Sequence, residues 1–579
     1  MIKVDKLSYS FPQKNLYNEI SFTLEDNQHC AFIGMSGIGK STLMNMIMDP
    51  EKYNFSGKLE ITPGYKIGYV SQFAKSDEVL DMTVFEYIGY ECLKLQEEIA
   101  LICAEMETSN DIESLLEKYQ EKLDEFESLG GNDFESNINK KLNLADLLKY
   151  KDLKISEISG GEFKLVQVIK EMLNKPDLLI MDEPDVFLDF ENLNSLRNLI
   201  NTHNGTLLVI THNRYLLDHC FNKILHLENT ELQEFDGSYT EYNFALLERK
   251  IELQELATKD TEEIERNEKL IEQFRDIASN VAEATRGNTV RARIKIQERL
   301  EARRIKTPFV YINQPNINLT TNNELEETIA LKVDNYNVLF DDSLLENVSF
   351  EIKSNEKVAI IGPNGTGKTT LLRDIFKNTN NTIEINENIK MAYLSQHQSE
   401  MLNYSNTIMD EFLDSGFNTY AEVTEYLAGY GFEGKILNHK IDALSGGEKN
   451  ILQLAKISAS NANMLLLDEP TSHLDTYSQL SLEKAINNYN GAIIMISHNI
   501  YSIINCMDYV LIIEDKSIRK MNMKKFKRMV YNIHFDRDYL ELEQKKKQLE
   551  ARISIALVNN DFVSAKIVLE DLRKIIELI

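Results

Sequence analysis

LYNEISFTLEDNQHCAFIGMSGIGKSTL, beginning at Leu16, returns as LLENVSFEIKSNEKVAIIGPNGTGKTTL, beginning at Leu344, an offset of 328. Further on, ISGGEFKLVQV at Ile158 matches LSGGEKNILQL at Leu444, LLIMDEP matches LLLDEP, and VITH matches MISH, all at an offset of 286. A period this long is a duplicated domain rather than a solenoid repeat. The 42-residue difference between the offsets is extra sequence in the first copy, between Lys40 and Ser159. Each copy carries short apolar runs (CAFIG, LLIMD, LLVIT; VAIIG, MLLLD, AIIMI) separated by helix-like stretches. Such runs suit buried parallel strands joined by helical crossovers, so both copies are expected to be α/β.

Gly34-Met35-Ser36-Gly37-Ile38-Gly39-Lys40-Ser41 and Gly362-Pro363-Asn364-Gly365-Thr366-Gly367-Lys368-Thr369 both fit GxxxxGK[ST], and Thr42 and Thr370 follow them. Each follows an apolar run and opens a helical one, the context a phosphate-binding loop requires. Glycines let backbone N–H groups turn inward around an anion, and the helix N-terminus adds partial positive charge. Lys40 and Lys368 are expected to reach the β- and γ-phosphates of ATP, and Ser41 and Thr369 to hold Mg²⁺. A glycine-rich turn is the alternative for one loop; two loops in one duplicated frame leave it little room. Asp182-Glu183 and Asp468-Glu469 each end an apolar strand. The aspartates suit the Mg²⁺ shell and the glutamates suit polarising a water for attack on the γ-phosphate.

Ser159-Gly160-Gly161-Glu162 and Ser445-Gly446-Gly447-Glu448 resemble the signature sequence of ABC ATPases. Gln72 and Gln396 match that family's Q-loop, and His212 and His498 its switch histidine. The resemblance implies two nucleotide domains facing head to tail, with two ATP molecules between them. One site then takes Lys40, Ser41, Gln72, Asp182, Glu183 and His212, closed by Ser445 to Gly447. The other takes Lys368, Thr369, Gln396, Asp468, Glu469 and His498, closed by Ser159 to Gly161. Gln72 and Gln396 would join the Mg²⁺ ligands. Phe11 and Phe340, 29 and 28 residues before the loop lysines, are candidates for stacking on adenine, or else core aromatics. The loop after Glu469 reads PTSHLD, as the family prefers, but the loop after Glu183 reads PDVFLD. This loop couples the sites in the family, so the Lys40 site is expected to differ from its twin.

Tandem nucleotide domains joined by a charged helical linker resemble the ABC-F family, whose members act on ribosomes. The expected layout is an ATPase domain over 1–237 with a helical arm near 90–136, a linker over 238–308, a second ATPase domain over 330–520 and a helical extension over 521–579. The arm region holds 14 acidic and three basic residues between Glu91 and Glu135, which suits a basic ribosomal protein or a solvated decoration. In the linker, Tyr242 to Asp276 lacks Pro and Gly and reads as a helix, with Ile264, Ile271, Phe274 and Ala278 on one face. After Arg286-Gly287-Asn288 a second helix is expected through Ala292, Ile296 and Leu300. The family places this linker in the tRNA exit site, its tip near the peptidyl-transferase centre and the P-site tRNA. Arg286, Arg291, Arg293, Lys295, Arg299, Arg303 and Arg304 then face large-subunit rRNA or tRNA phosphates. The alternative is a solvated helix pairing with Glu262, Glu263, Glu265 and Glu268. The tail breaks at Asn559-Asn560-Asp561 and reads as a hairpin, for RNA contact or self-packing.

Net charge of −29 argues against general nucleic-acid coating but not against a local basic patch. No segment approaches a membrane span, the start lacks a signal peptide, and five scattered cysteines form no CxxC pair. The expectation is a cytoplasmic monomer that closes its two ATPase domains on each other, with no membrane partner. Its narrower form is ribosomal protection against pleuromutilin, lincosamide and streptogramin A drugs; the alternative is a housekeeping translation factor. A transporter ATPase subunit and a DNA-acting ATPase are readings from other classes.

Overall fold

The computed structural model describes residues 1–11, 14–71, 79–107, 112–186, 188–280, 294–297, 315–319, 321, 328–339, 343–378, 380–396, 398–534 and 537–578. Two compact units emerge: residues 1–239 with 315–527, and residues 240–314 with 528–579.

The first unit holds the duplication. Each half has a six-stranded sheet and a three-stranded antiparallel sheet. In the first half the larger sheet runs Ile67–Val70, Leu178–Asp182, Thr206–Ile210, His29–Gly34, Lys223–Glu228, Glu231–Asp236, with only the last strand antiparallel. The second half repeats that order as Met391–Leu394, Met464–Asp468, Ala492–Ile496, Lys357–Ile361, Tyr509–Glu514, Ser517–Asn522. Leu178–Asp182, Thr206–Ile210, Met464–Asp468 and Ala492–Ile496 are buried at every residue. That is why they read as unbroken apolar runs rather than alternating ones. The strand leading into each phosphate loop is interior, so the loop leaves the sheet at its carboxyl end among the other crossover loops, where open α/β sheets bind ligands.

The extra sequence of the first half folds as Tyr90–Met106 and Ile112–Ser128, bridged by Lys122 Nζ to Glu98 Oε2 at 3.0 Å, and then Phe134–Leu144. Leu101, Ile112 and Leu116 are exposed among its acids.

In the second unit the helix expected over Tyr242 to Asp276 runs Tyr239–Asn280. Arg537–Val558 and Phe562–Ile576 form the tail hairpin, and Asp561 caps its second helix by accepting from Ser564 N–H at 3.1 Å. The tail does not stand apart from the linker. Ile553, Leu557, Ala565, Val568 and Leu572 bury Ile251, and Lys566 and Arg573 reach Glu255 and Glu248 at 2.6 and 2.9 Å. Residues 294–297 are helical, within the expected second helix. Ile296 is 39% exposed, whereas Gln297 is buried and accepts from Asn267 Nδ2 at 2.7 Å. A buried amide pair satisfies both groups, Gln297 Nε2 also donates to Glu268 at 3.1 Å, and Ile264 and Ile271 on the helix of Asn267 are buried as the apolar spacing predicts. Of the basic residues expected to meet RNA, Lys295 is described and exposed; Arg286, Arg291, Arg293, Arg299, Arg303 and Arg304 lie outside the described residues.

Cys30, Cys92, Cys220 and Cys506 are buried and Cys103 is exposed, and all five are free thiols. Burial pushes the Cys220 thiol up to about 12 and Cys30 higher still. Thiolate is the reactive form, so a maleimide reagent is expected to label one thiol in the native chain and all five after denaturation, with Cys103→Ser abolishing the native labelling. Mass spectrometry of the labelled peptides reads this directly.

Candidate active site

Both phosphate loops are set by left-handed glycines at the mouth of a helix: Gly39, φ 112°, before Lys40–Met48, and Gly367, φ 87°, before Lys368–Lys377. An L side chain strains there, and the turn aims backbone N–H groups into the loop. Lys40 Nζ donates to the Gly34 and Met35 carbonyls at 2.8 Å each, and Lys368 Nζ to the Gly362 and Pro363 carbonyls at 2.8 and 2.7 Å. Burial brings Lys40 down to about 8 against the pull of Glu183, Asp475 and Asp182.

Asp182 and Asp468 close their strands beside the loops, hydrogen-bonded by the Ser41 and Thr369 hydroxyls. Burial raises both carboxyls. The donors are hard oxygens, which fit Mg²⁺. Among the described residues no three His, Cys, Asp or Glu side chains form an all-protein metal cage. Gln396 is exposed beside the second site and lines its cavity, whereas Gln72 lies outside the described residues.

Glu183 and Glu469 occupy the left-handed region, with φ 47° and 50°, each anchored by its N–H to a carbonyl of the neighbouring strand, Ile210 at 3.0 Å and Ile496 at 2.9 Å. Non-glycine residues held there cost on the order of 1–3 kcal/mol, and such strain clusters at functional sites. The two carboxylates then diverge. Burial pushes Glu469 up to about 8, helped by the Asp468 charge. Burial would raise Glu183 too, but the His473 side chain, then His212 and least of all Lys40 together outweigh it, and its carboxyl sits below the ordinary value. His498 Nε2 lies 3.5 Å from Glu469 Oε1 and 3.2 Å from Asn364 Oδ1. His212 is buried, and its Nε2 has no hydrogen-bond partner. Burial first, then the nearby loop lysine, drives His212 to about 4 and His498 to about 3.

Each signature is a helix start. Ser159 caps Gly160–Leu173 and Ser445 caps Gly446–Ala459, both with a reciprocal Glu at the third helical position. The halves meet head to tail. Ser36 Oγ lies 3.5 Å from Ser445 Oγ, and Asn364 N–H donates to Asp189 Oδ2 at 3.4 Å. Ser159, Gly160 and Gly161 line a cavity of about 600 Å³ together with Lys368, Thr369, Gln396, Glu469 and His498. That size lies within the range of small-molecule and cofactor pockets. Phe11 is 48% exposed with its ring edge-on to Tyr9 at 5.3 Å; Phe340 lies outside the described residues.

Asp189, Asp475, Arg214 and Glu483 were not singled out from the sequence, and His473 stood out only as the loop residue that Phe187 replaces. Asp189 and Asp475 cap the helices that follow the coupling loops, and their charges act on Lys368 and Lys40 of the opposite half. Their shared place at the end of PDVFLD and PTSHLD was the available signal. His473 approaches Glu183 with Nδ1 3.5 Å from Oε2. Arg214 and Glu483 form a buried ion pair between the halves, and Tyr501 donates to Asp218 at 3.2 Å beside it.

Two phosphate loops, two strand-end carboxylate pairs and two opposed signature helices define a tandem ATP-binding cassette ATPase. The protein-family model described as ABC transporter matches residues 17–186 and 345–472. The energy-dependent translational throttle protein EttA of Escherichia coli K12 is 30% identical over 526 residues, 87% of this chain and 90% of that one. The putative ATP-binding protein YdiF of Bacillus subtilis is 28% identical over 97% of this chain and 87% of its own length, and ABC transporter F family member 5 of Arabidopsis thaliana 27% over 89% and 75%. The archaeal ribosome recycling factor aABCE1, solved with the ribosomal stalk protein aP1, shares the fold with a TM-score of 0.56 at 17% identity, covering 91% of this chain and 92% of that one. The chain belongs to the ABC-F family, and it is an ATPase. Among the described residues no helix is long and apolar enough to cross a membrane.

A Cβ at Gly447 would lie 2.6 Å from the His473 carbonyl oxygen and 2.7 Å from Ser36 Oγ, so the halves cannot approach this closely with a side chain there. At Gly446 the nearest atom would be the His473 ring at 3.4 Å, an ordinary contact. Gly447→Ala is expected to lower steady-state ATP hydrolysis by about tenfold, ~1.4 kcal/mol of barrier, and Gly446→Ala by much less.

Proposed function

We propose that this chain is a ribosome-binding ATPase that closes on two ATP molecules to hold its linker in a ribosome-bound shape and reopens on hydrolysis. The observation that carries the reading is the head-to-tail apposition of each phosphate loop with the signature of the other half inside one chain. The names of the relatives support the ribosome as partner: EttA is a translational throttle protein, and aABCE1 a ribosome recycling factor.

The proposed chemistry divides among the residues as follows. Lys40 and Lys368 leave their loop carbonyls to meet the β- and γ-phosphates. Mg²⁺, when bound by Ser41, Gln72 and Asp182 or by Thr369, Gln396 and Asp468, supplies charge neutralisation across the phosphates. Glu183 and Glu469 orient the attacking water and take its proton as the γ-phosphorus–bridging-oxygen bond breaks, giving ADP and phosphate. Neutral His212 and His498 hold the γ-phosphate side of each site. The backbone N–H groups at the starts of the opposed signature helices complete the anion cradle.

Through the linker, Arg286, Arg291, Arg293, Lys295, Arg299, Arg303 and Arg304 are proposed to neutralise large-subunit rRNA and P-site tRNA phosphates near the peptidyl-transferase centre. The acidic arm is proposed to meet a basic ribosomal protein. EttA's name supports a translation role; the narrower proposal is that the linker protects the ribosome from pleuromutilin, lincosamide and streptogramin A drugs.

Ribosome pelleting tests this with the Glu183→Gln, Glu469→Gln double variant, expected to bind ATP and hydrolyse it at least about a hundredfold more slowly. It should pellet with 70S ribosomes in ATP and lose that retention when Arg286, Arg291 and Arg293 become Glu. A trapped protein that stays in the supernatant at low and moderate salt overturns the proposal. A drug-susceptibility panel with the unsubstituted chain then decides the narrower form.

A further inference from the structure

We propose that Tyr393 is a positioning residue for the Mg²⁺ aspartate Asp468, and that Tyr69 holds the same place for Asp182, so that each metal site takes a phenol donor from the strand that leads into its glutamine loop. The proposal rests on the two-site ATPase reading and adds to each site a residue that does not itself touch the metal.

Strand register brings the two groups together. Met391–Leu394 runs parallel to Met464–Asp468, with Tyr393 beside Leu466. Residues two apart on a strand share a face, so Tyr393 lies on the face that Asp468 presents, one step short of the strand end. Its hydroxyl donates to Asp468 Oδ2 at 3.4 Å, and both residues are buried. The first half repeats the register, with Tyr69 beside Ile180 in the pairing of Ile67–Val70 with Leu178–Asp182. Burial first, then the Asp182 charge, raises the Tyr69 phenol, which puts that carboxylate within electrostatic reach of it. Both tyrosines stand three residues before a glutamine, Gln72 and Gln396, so one short run carries the phenol and a candidate metal ligand.

The ring is fixed as well as the hydroxyl. Tyr393 packs on Phe376 with ring centroids 5.4 Å apart and planes at 32°. Phe376 belongs to Lys368–Lys377, the helix that also carries Thr369, whose hydroxyl bonds Asp468. The aspartate is thereby held from two elements, the phosphate-loop helix and the neighbouring strand. Ser395, buried, sends its Oγ to Glu400 Oε2 at 2.5 Å, and Arg373 Nη2 of the same helix meets Glu400 Oε1 at 2.6 Å. The run from Tyr393 to Gln396 is therefore tied to that helix at two points. A buried phenol usually finds some hydrogen-bond partner. Here the partner is the carboxylate the metal needs, and the register that delivers it recurs in both halves.

A carboxylate that ligates a metal through one oxygen can swing about its own bond. A donor on the other oxygen holds it in the ligating pose, and loss of such a donor typically costs about 10–100-fold in metal affinity.

The test reads metal binding apart from turnover. The Glu183→Gln, Glu469→Gln chain is loaded with ATP in EDTA, freed of excess nucleotide and chelator, and titrated with Mn²⁺ followed by electron paramagnetic resonance. One Mn²⁺ per ATP site is expected. Tyr393→Phe removes the hydroxyl and keeps the ring for Phe376; it should weaken one Mn²⁺ about tenfold and leave the other within about twofold. Adding Tyr69→Phe should weaken both. ATP affinity in EDTA should stay within about twofold, and in the hydrolysing chain the KM for Mg²⁺ should rise while kcat at saturating Mg²⁺ holds. Unchanged Mn²⁺ affinity in Tyr393→Phe, or an equal loss of ATP affinity in EDTA, would overturn the proposal. A trap with both tyrosines intact that binds no Mn²⁺ with its ATP would instead strike the two-site ATPase reading.

Discussion

The placement of Ser36 against Ser445, and of Asp189 against the N–H of Asn364, is the constraint on which the rest of this molecule depends. A phosphate loop alone offers one face to a nucleotide. Only when the opposite half brings its signature helix start does the cradle acquire a second set of backbone N–H groups. The duplication is therefore more than a doubling. Each half carries a binding surface for the ligand of the other, and a chain with both halves can close on itself without a second copy.

That arrangement places a demand on the boundary between the halves. It must be close enough to exclude water and polar enough to open. Glycine at 447 leaves room for the Ser36 side chain of the opposite half, and the contacts across the boundary include the polar pairs Ser36–Ser445 and His473–Glu183. The Arg214–Glu483 pair is largely buried, with Ser502 Oγ and Asn505 Nδ2 also donating to that carboxylate at 2.8 and 3.0 Å. Removing one partner of a buried pair leaves an uncompensated charge, so this contact resists separation more than its neighbours do.

Much of this was legible in the residues themselves. Phosphate loops, strand-end carboxylates and signature serines depend on local geometry, in which a left-handed glycine, a helix start and a buried strand must be adjacent in sequence. The doubled α/β class followed from fully buried strands that cannot alternate. What escaped were relations across the fold. Asp189 and Asp475 act on lysines of the half they do not belong to, far from them along the chain. The packing of the tail on Ile251 joins residues about three hundred positions apart, so linker and tail read as separate pieces. The buried amide pair of Asn267 and Gln297 went unread because apolar spacing is the usual signal of an inward face. The departure from PTSHLD to PDVFLD was visible at once, yet its chemical sense needed the distance from His473 to Glu183.

Composite sites formed within one chain are what the mechanism requires first. Ser36→Cys with Ser445→Cys, in a chain whose exposed Cys103 is replaced by Ser, puts two thiols where the hydroxyl oxygens lie 3.5 Å apart. Mild oxidation in the presence of ATP and the Glu183→Gln, Glu469→Gln trap should give a fast disulfide within a single chain, slower without nucleotide, and visible as a mobility shift that reductant reverses. A chain that binds ATP yet forms no such bond, or forms it only between two copies, would contradict the account.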